Sequence, residues 1–278
     1  MLSVNNISYT IGTRQILNKV SLDARAGELL VILGNNGAGK STLLKAICNE
    51  LKCTGTVHID GKNAGEYTTE ELALKRAVLK QHTQINMPFL VKEVVMMGRY
   101  PHFKRKETAY DHAVVKKAIE KAGITHLSEQ NYLTLSGGEQ QRVQLARVLA
   151  QVENTQADLT QYLLLDEPVS SLDISHQHNT LQLAKQFAEK GNVVIAVLHD
   201  LNLAAMYADK ILLLRSGKVH STGTPQEVLN NETISQTFGF PAYVQQHPHA
   251  DCLMVCFGAQ PQHPQQLKEK IPHRATVL

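Results

Sequence analysis

The segment GNNGAGKST, at residues 34–42, constrains the fold of this chain more than any other part of the sequence. It fits the pattern G-x-x-x-x-G-K-[ST] and lies between the apolar run LLVIL and a segment with helical spacing. A glycine-rich turn between a strand and a helix lets backbone N–H groups close around phosphates. The context therefore predicts a nucleotide-binding loop, and a plain glycine turn before a helix is the weaker alternative.

The residue types in this loop predict separate roles. Lys40 reaches the terminal phosphates, the Ser41 hydroxyl ligates magnesium, and Thr42 adds a further contact. The predicted nucleotide-binding residues are Gly34, Asn35, Asn36, Gly37, Ala38, Gly39, Lys40, Ser41 and Thr42.

Segments typical of strands and helices alternate along the chain, which predicts an α/β core. Continuous apolar runs at 29–33, 162–166 and 193–198 are typical of parallel strands that are buried on both faces. The partly alternating segments 2–9 and 20–24 predict an antiparallel edge beside this core. Helical spacing occurs at 40–51, 138–151, 174–190 and 201–208.

The segment 83–158 carries helical patterns but no convincing strand, so we expect a mostly helical insertion there. The segment 241–278 is rich in Gln, Pro and His and has little periodicity. These features predict a main domain at 1–240, whose core is 1–82 and 159–240, followed by a C-terminal extension.

Composition and charge limit the kinds of partner. The chain has 278 residues and a net charge of +3, so no strong field attracts nucleic acid or anionic lipid. The N-terminus does not resemble a secretory signal, and the apolar runs are far shorter than the roughly 20 residues of a membrane span. We therefore expect a cytoplasmic protein. Its four cysteines are too scattered for a disulfide scaffold, and we expect them to be reduced.

The tail contains the segment HPHADCLMVC, which suggests a possible metal or heme site. The side chains in this segment that could bind a metal or heme iron are those of His247, His249, Cys252 and Cys256. The segment lacks the spacing of standard zinc sites, so a ligand role is the weaker interpretation.

The segment YLLLDEP places Asp166 and Glu167 at the end of a predicted strand. Two adjacent carboxylates at a buried strand end repel each other unless a cation or a proton is present. Beside a phosphate-binding loop, Asp166 is predicted to bind magnesium through water, and Glu167 is predicted to polarise the attacking water. The alternative is a helix cap or a turn.

Two further polar residues follow predicted strands. His199 comes after the run 193–198, where an imidazole could contact the γ-phosphate and the water, and Asp200 is predicted to cap the next helix. Gln81 lies where the core gives way to the helical insertion. Its amide is predicted to contact magnesium or water, although a lone Gln at a strand end is more often a surface residue.

A second candidate anion site lies in LTLSGGEQQRVQLARVLA, at residues 133–150. Paired glycines at a helix start permit close backbone approach, and the positive helix terminus favours an anion. Ser136 and Glu139 also fit a capping box, so a capped amphipathic surface helix is the structural alternative.

The ordered set of Tyr9, GNNGAGKST, Gln81, LSGGEQQRV, YLLLDEP, SSLD and His199 resembles the ATP-binding cassette (ABC) family over about residues 1–240. The resemblance implies a RecA-like core with an antiparallel β subdomain, a helical subdomain between Gln81 and the DEP motif, and head-to-tail dimers. Two features depart from the family pattern. Val169 replaces a usual Thr, and the polar segment AQVENTQADLTQ, which we interpret as a surface loop, precedes YLLLDEP.

The resemblance also implies residue roles and cofactors. Tyr9 would stack on adenine, and Asp173 would lie across the dimer interface. The cofactors would be ATP and Mg²⁺, with the metal held by Ser41, Gln81 and Asp166. Catalysis would rest on Glu167, Gln81 and His199. The signature residues, which would contact the ATP of the partner subunit, are Ser136, Gly137, Gly138 and Glu139.

A cassette without a membrane span or a long coiled coil resembles the detached motor of a transporter, bound as a homodimer to two membrane permease subunits. Such a motor would lie peripherally at the cytoplasmic face of the inner membrane, with a periplasmic ligand-binding protein acting indirectly. Apolar residues could line the docking surface or be core positions of the insertion, and both interpretations stay open. They are Met87, Phe89, Leu90 and Met97.

The segment VVMMGRYPHF resembles bacterial importers for iron siderophores, hemin and cobalamin. The extended loop before YLLLDEP and the histidine-bearing tail are most similar to the hemin branch. Two other classes are alternatives. A soluble cassette protein acting on DNA or ribosomes usually carries coiled-coil arms, zinc modules or two cassettes. A P-loop kinase would leave the segment 136–139 without a role.

Overall fold

A computed structural model describes residues 1–81, 83, 85–153 and 159–258, and its described strands form three sheets. The strands are β1 Leu2–Ile11, β2 Arg14–Ala24, β3 Leu29–Gly34, β4 Thr54–Ile59, β5 Lys62–Asn63, β6 Arg76–Leu79, β7 Tyr162–Asp166, β8 Val193–Val197, β9 Lys210–Arg215, β10 Lys218–Gly223, β11 Ala242–Gln246 and β12 Leu253–Phe257. The α-helices are α1 Lys40–Ile47, α2 Thr69–Lys75, α3 Val91–Met96, α4 Ala109–Lys121, α5 Gly137–Val152, α6 Ile174–Glu189, α7 Leu201–Tyr207, α8 Pro225–Val228 and α9 Asn231–Phe238.

The central sheet has the strand order β10-β9-β3-β8-β7-β6, in which β9, β3, β8, β7 and β6 are parallel. Every residue of β3, β7 and β8 is buried, which confirms the prediction of parallel strands covered on both faces. Alternate residues of β3 belong to different cores. Leu29 and Val31 pack with α5, α6 and α7, whereas Leu30 and Ile32 pack with α1 and the N-terminal strands.

The N-terminal strands form a sheet of their own, with the order β2-β1-β4-β5, and they do not extend the edge of the central sheet. The antiparallel edge strand of the central sheet is β10. Alternation along β1 showed which side chains point inward, but it did not show what would cover them. The apolar face, which includes Ile7 and Val20, packs against Leu43 and Leu44 of α1.

The described residues between β6 and β7 are mainly helical and contain α3, α4 and α5. A 3-10 turn, Met97–His102, holds the C-terminal end of α5. Arg99 is 2% exposed, and its Nη1 donates to the carbonyls of Ala150 at 2.8 Å and Glu153 at 2.6 Å. Its Nε donates to Asp111 Oδ1 at 3.0 Å. A buried guanidinium therefore donates hydrogen bonds to carbonyls that a helix leaves unpaired at its end.

The described part of the C-terminal extension contains the hairpin β11–β12, which packs against α7 and α9. The sequence analysis expected little regular structure here. The five-residue run Leu253–Phe257 is long enough for a strand, and its partner β11 supplies the pairing that composition did not predict. Residues 259–278, and residues 154–158 of the predicted surface loop, lie outside the described residues. The proposed domain boundaries stay predictions.

Tyr162 links the central sheet to the N-terminal sheet. Its hydroxyl donates to the Asp60 carboxylate, which also accepts from Lys75 Nζ at 2.7 Å. Tyr162 is fully buried, and burial together with the neighbouring carboxylate raises its pKa. The hydroxyl therefore stays protonated and keeps donating at neutral pH.

We expect Tyr162→Phe to lower the free energy of unfolding by about 1–3 kcal/mol, because it removes a buried hydrogen bond to a charged group. Urea denaturation followed by circular dichroism measures this loss. Tyr67→Phe is the matched control, since its hydroxyl donates to the neutral carbonyl of Ile59. A loss no larger than that of the control would contradict the prediction.

Candidate nucleotide-binding and catalytic site

The glycine-rich segment of residues 34–42, the P-loop, joins β3, which ends at Gly34, to α1, which begins at Lys40. Gly34 has a φ of +146°, and a Cβ at this position would lie 2.3 Å from the carbonyl oxygen of Leu214. Only glycine satisfies both conditions. The close contact with β9 fixes the start of the loop against the sheet.

The side chain of Lys40 extends back into the loop, and this residue is 6% exposed. Its Nζ donates to the carbonyl of Gly34 at 2.7 Å and to that of Asn35 at 3.2 Å. Burial lowers the pKa of Lys40, and the charges of Glu167 and Asp166 oppose this shift. An ammonium group partly removed from water interacts strongly with an anion such as a phosphate.

Ser41 and Asp166 lie side by side, as the magnesium prediction requires. The Ser41 hydroxyl donates to Asp166 Oδ1 at 3.1 Å. Burial raises the pKa of Asp166, and the charge of Glu167 adds to this, while the Ser41 hydrogen bond lowers it. A buried carboxylate beside a second carboxylate favours a cation, and hard oxygen ligands suit Mg²⁺. The donor set therefore fits this metal.

Glu167 lies at the centre of the predicted catalytic group. Gln81 Nε2 donates to Glu167 Oε2 at 2.7 Å, and His199 Nε2 lies 2.6 Å from Glu167 Oε1. The backbone of Glu167 has a φ of +51°, a conformation that non-glycine residues adopt at a cost. The structure thus joins three residues that the sequence analysis selected separately, from three different loops.

The turn that carries His199 lies between β8 and α7. As predicted, Asp200 caps α7, and its Oδ1 accepts from the backbone N–H groups of Asn202 at 2.7 Å and Leu203 at 3.0 Å. The cap fixes the start of a short helix directly after the imidazole.

The signature residues form the start of α5. Ser136 is the N-cap, and Glu139 completes the capping box, with its Oε2 accepting from Ser136 N at 2.9 Å. A Cβ added to Gly137 would meet nothing within 4 Å, whereas one added to Gly138 would lie 3.0 Å from the carbonyl oxygen of Ser171. No hydrogen bond between described residues joins this segment to the P-loop of its own chain.

The sequence analysis missed Gln141. Its Nε2 donates to the carbonyl of Glu167 at 3.0 Å, and its Oε1 accepts from Ser171 N at 3.3 Å. It therefore joins the signature helix to the turn that carries Glu167. A glutamine in an amphipathic helix resembles a surface residue. The available signal was its position three residues after Gly138, on the same helix face.

The remaining predicted residues lie apart from this cluster or have other contacts. Asp173 caps α6, with its Oδ1 accepting from His176 N at 2.9 Å. Tyr9 pairs with Leu17 across β1 and β2 and is partly buried against the core of the N-terminal sheet. Asn35 Nδ2 donates to the carbonyl of Thr237 at 2.6 Å. The roles of Asp173 and Tyr9 toward a partner and a nucleotide base stay predictions.

The residues proposed for docking differ in their exposure, and their docking role stays a prediction. Met87 is 60% exposed, while Phe89 is partly buried and packs against the core. Leu90 and Met97 are partly buried as well. Tyr100, which the sequence analysis did not select, is 58% exposed and packs edge-on against Phe103 at 5.8 Å between ring centroids.

In the C-terminal hairpin, Cys252 is buried and Cys256 is exposed. Within the described residues, no group of three or more His, Cys, Asp or Glu side chains is placed to hold a metal ion. No helix in those same residues is both long enough and apolar enough to cross a membrane.

The chain is similar to known ATP-binding proteins of transporters. The family model described as "ABC transporter" matches residues 17–170. A hemin import ATP-binding protein of Gloeobacter violaceus is 47% identical over 256 residues, which cover 92% of this chain and 93% of that protein. The protein of the same name from Plesiomonas shigelloides is 44% identical, with 91% and 100% covered.

Solved structures show the same fold. A chain of an inward-facing, metal-chelate type ABC transporter superposes with a TM-score of 0.76 at 26% identity, covering 95% of this chain and 98% of that one. A dimeric ATP-binding cassette bound to ADP and phosphate gives a TM-score of 0.69 at 26% identity, with 81% and 99% covered. The family match and the sequence identities show that this chain belongs to the ABC transporter family.

Proposed function

We propose that this chain is the ATP-hydrolysing subunit of a bacterial importer and that hemin is the cargo. The observation that carries the proposal is the position of Glu167, whose two carboxylate oxygens contact Gln81 and His199 beside the Ser41–Asp166 pair. The hemin assignment rests on the similarity to hemin import ATP-binding proteins. Iron siderophores and cobalamin are the alternative cargoes.

The proposed reaction is attack of water on the γ-phosphate of ATP, which breaks the bond from the γ-phosphorus to the bridging oxygen and releases ADP and inorganic phosphate. Lys40 stabilises the charge of the terminal phosphates, and Glu167 orients the water and accepts its proton. His199 holds the Glu167 carboxylate and contacts the γ-phosphate, and Gln81 holds the other carboxylate oxygen. Ser41, Asp166 and Gln81 would bind Mg²⁺, which would neutralise phosphate charge when present.

We propose that the start of α5 completes the site of a second copy of this chain. Its helix terminus is exposed and positive, and the Gly137 backbone is open to an approaching group. In the proposed head-to-tail homodimer, two ATP molecules lie between the P-loop of one subunit and the residues 136–139 of its partner. Asp173 would lie at the same interface, and Tyr9 would contact adenine.

Gly137→Ala tests this dimer. Because a Cβ here meets nothing within its own chain, we expect unchanged thermal stability and unchanged nucleotide binding to the monomer. ATP turnover should fall on the order of 100-fold, since the methyl group would intrude between the helix terminus and the partner's γ-phosphate. Phosphate release and equilibrium binding of a fluorescent ATP analogue measure the two properties.

Gly65→Ala is the control, because Gly65 lies in a 3-10 turn of the N-terminal sheet and has one contact at 3.4 Å. It should keep normal turnover. If Gly137→Ala also hydrolyses ATP at the normal rate, the dimer geometry is wrong.

The proposed partners are two membrane permease subunits, which would hold the chain at the cytoplasmic face of the inner membrane. Met87 and Tyr100 are exposed apolar side chains near the helical segment and would contribute to docking. A periplasmic ligand-binding protein would act through the permease. Copurification with DNA or ribosomes would instead favour the soluble class of cassette protein, and a phosphorylated product other than inorganic phosphate would favour a kinase.

The cargo is tested with the chain and its copurified permease in lipid vesicles. Binding proteins loaded with hemin, an iron siderophore or cobalamin are added in turn, and ATP hydrolysis is measured. We expect hemin-loaded protein to stimulate hydrolysis. Stimulation by siderophore-loaded or cobalamin-loaded protein alone would contradict the hemin assignment and leave the importer assignment intact.

A further inference from the structure

The C-terminal hairpin β11–β12 is attached to α7 through one side chain. Asn202 Nδ2 donates to the carbonyl of Val255 at 3.2 Å, and its Oδ1 accepts from the N–H of Val255 at 2.7 Å. The Asn202 amide therefore pairs with both backbone groups of one residue, as a neighbouring strand would. Val255 is 4% exposed, so its N–H and carbonyl depend on this partner.

Asn202 lies three residues after the catalytic imidazole. It belongs to the first turn of α7, and its own N–H donates to the Asp200 carboxylate at 2.7 Å. A helix of seven residues has little stability of its own, so its tertiary contacts decide its position. The hairpin is thus connected through Asn202 and Asp200 to the turn that places His199 against Glu167.

The element before the hairpin contacts the other catalytic loop. The carbonyl of Thr237, in α9, accepts from Asn35 Nδ2 at 2.6 Å. The hairpin is joined to α9 by Ser235 Oγ, which accepts from Ala242 N at 2.9 Å, and by Asn231 Oδ1, which accepts from Val244 N at 2.7 Å. One continuous segment therefore contacts both the P-loop and the His199 turn.

We propose that residues 231–257 form an intramolecular brace that holds the His199 turn in register with the P-loop, and that Asn202 is its positioning residue. The proposal rests on the ATPase activity proposed above. Its physical basis is that a small displacement of a catalytic group lowers the rate without weakening the binding of the substrate's phosphates. The brace acts within one subunit, independently of the partner's signature segment.

The test compares Asn202→Ala with Asn231→Ala. Both variants delete the same amide from a contact with the same hairpin, but Asn202 holds the hairpin to α7 and Asn231 holds it to α9. Asn202 is exposed, so its truncation leaves no buried cavity. We expect Asn202→Ala to lower kcat on the order of tenfold with KM for ATP unchanged. We expect Asn231→Ala to keep kcat within about twofold, because Ser235 still joins the hairpin to α9 in this variant.

Amide hydrogen exchange gives a second measurement that does not need ATP hydrolysis. Asn202→Ala should reduce protection at residues 199–203 and at Val255, and Asn231→Ala should leave residues 199–203 protected. Equal loss of kcat in both variants, a changed KM with normal kcat, or unchanged protection in Asn202→Ala would overturn the brace. If the wild-type chain has no ATPase activity, the proposed function fails, and the exchange measurement still decides the brace.

Discussion

Glu167→Gln is expected to reduce ATP turnover by at least about 10²–10⁴-fold, the usual contribution of a general base. The glutamine side chain has the same shape and can still accept a hydrogen bond from Gln81, but it cannot take a proton from water. The variant also removes a negative charge that lies beside the proposed position of the γ-phosphate and would repel it. It should therefore bind ATP and accumulate as an ATP-bound dimer.

Phosphate release measures the loss of turnover, and size-exclusion chromatography with and without ATP measures the dimer. Glu71→Gln is the control, because Glu71 is an acid of the α2 capping box, where its carboxylate accepts from the backbone N–H of Thr68. We expect normal turnover from this control. A Glu167→Gln variant that hydrolyses ATP at the wild-type rate would refute the catalytic assignment.

Arg99→Met is expected to lower the free energy of unfolding by about 3–5 kcal/mol, because it leaves a buried charge without its partner. The side chains of Arg99 and Asp111 are 2% and 4% exposed and lie 3.0 Å apart. The substitution also removes the donors that contact the carbonyls of Ala150 and Glu153. Urea unfolding followed by circular dichroism gives the difference between variant and wild type.

Two further variants separate the buried charge from loss of packing. Arg99→Met combined with Asp111→Leu should recover the part of the loss that the unpaired Asp111 charge causes, because neither variant side chain is charged. The part caused by the lost donors to Ala150 and Glu153 should remain. Lys92→Met removes an exposed partner of Glu129, whose own side chain is 69% exposed, and should cost only about 0–1 kcal/mol. A single Arg99→Met variant as stable as Lys92→Met would show that the buried pair does not matter.

The residues of the proposed catalytic group could be selected from sequence because parallel strands bring their carboxyl ends to one edge of a sheet. The P-loop follows β3, His199 follows β8, Glu167 follows β7 and Gln81 lies two residues after β6. These four strands are neighbours in the order β3-β8-β7-β6. Each residue was recognisable from its position after an apolar run, and the sheet order brings the residues together.

The roles of Arg99 and Asn202 could not be predicted in the same way. Arg99 contacts a carbonyl 51 residues along the chain, and Asn202 contacts a strand 53 residues along. Both act on backbone groups, which every residue has, so the sequence near either residue does not identify its partner. The antiparallel β subdomain was predicted, but the helix that covers its apolar face was not, since periodicity shows that a face is apolar and does not show what packs on it.

The two ends of α5 have a mechanical consequence. Ser136 caps the N-terminal end, and the Arg99 guanidinium donates to carbonyls at the C-terminal end. A helix of 16 residues, about 24 Å long, is therefore hydrogen-bonded to side chains at both ends. Such a rod is stiff along its axis. A displacement of the turn that carries Arg99, along the axis of α5, would therefore displace the glycines at the start of α5 by nearly the same distance. The helix would stay folded during this movement.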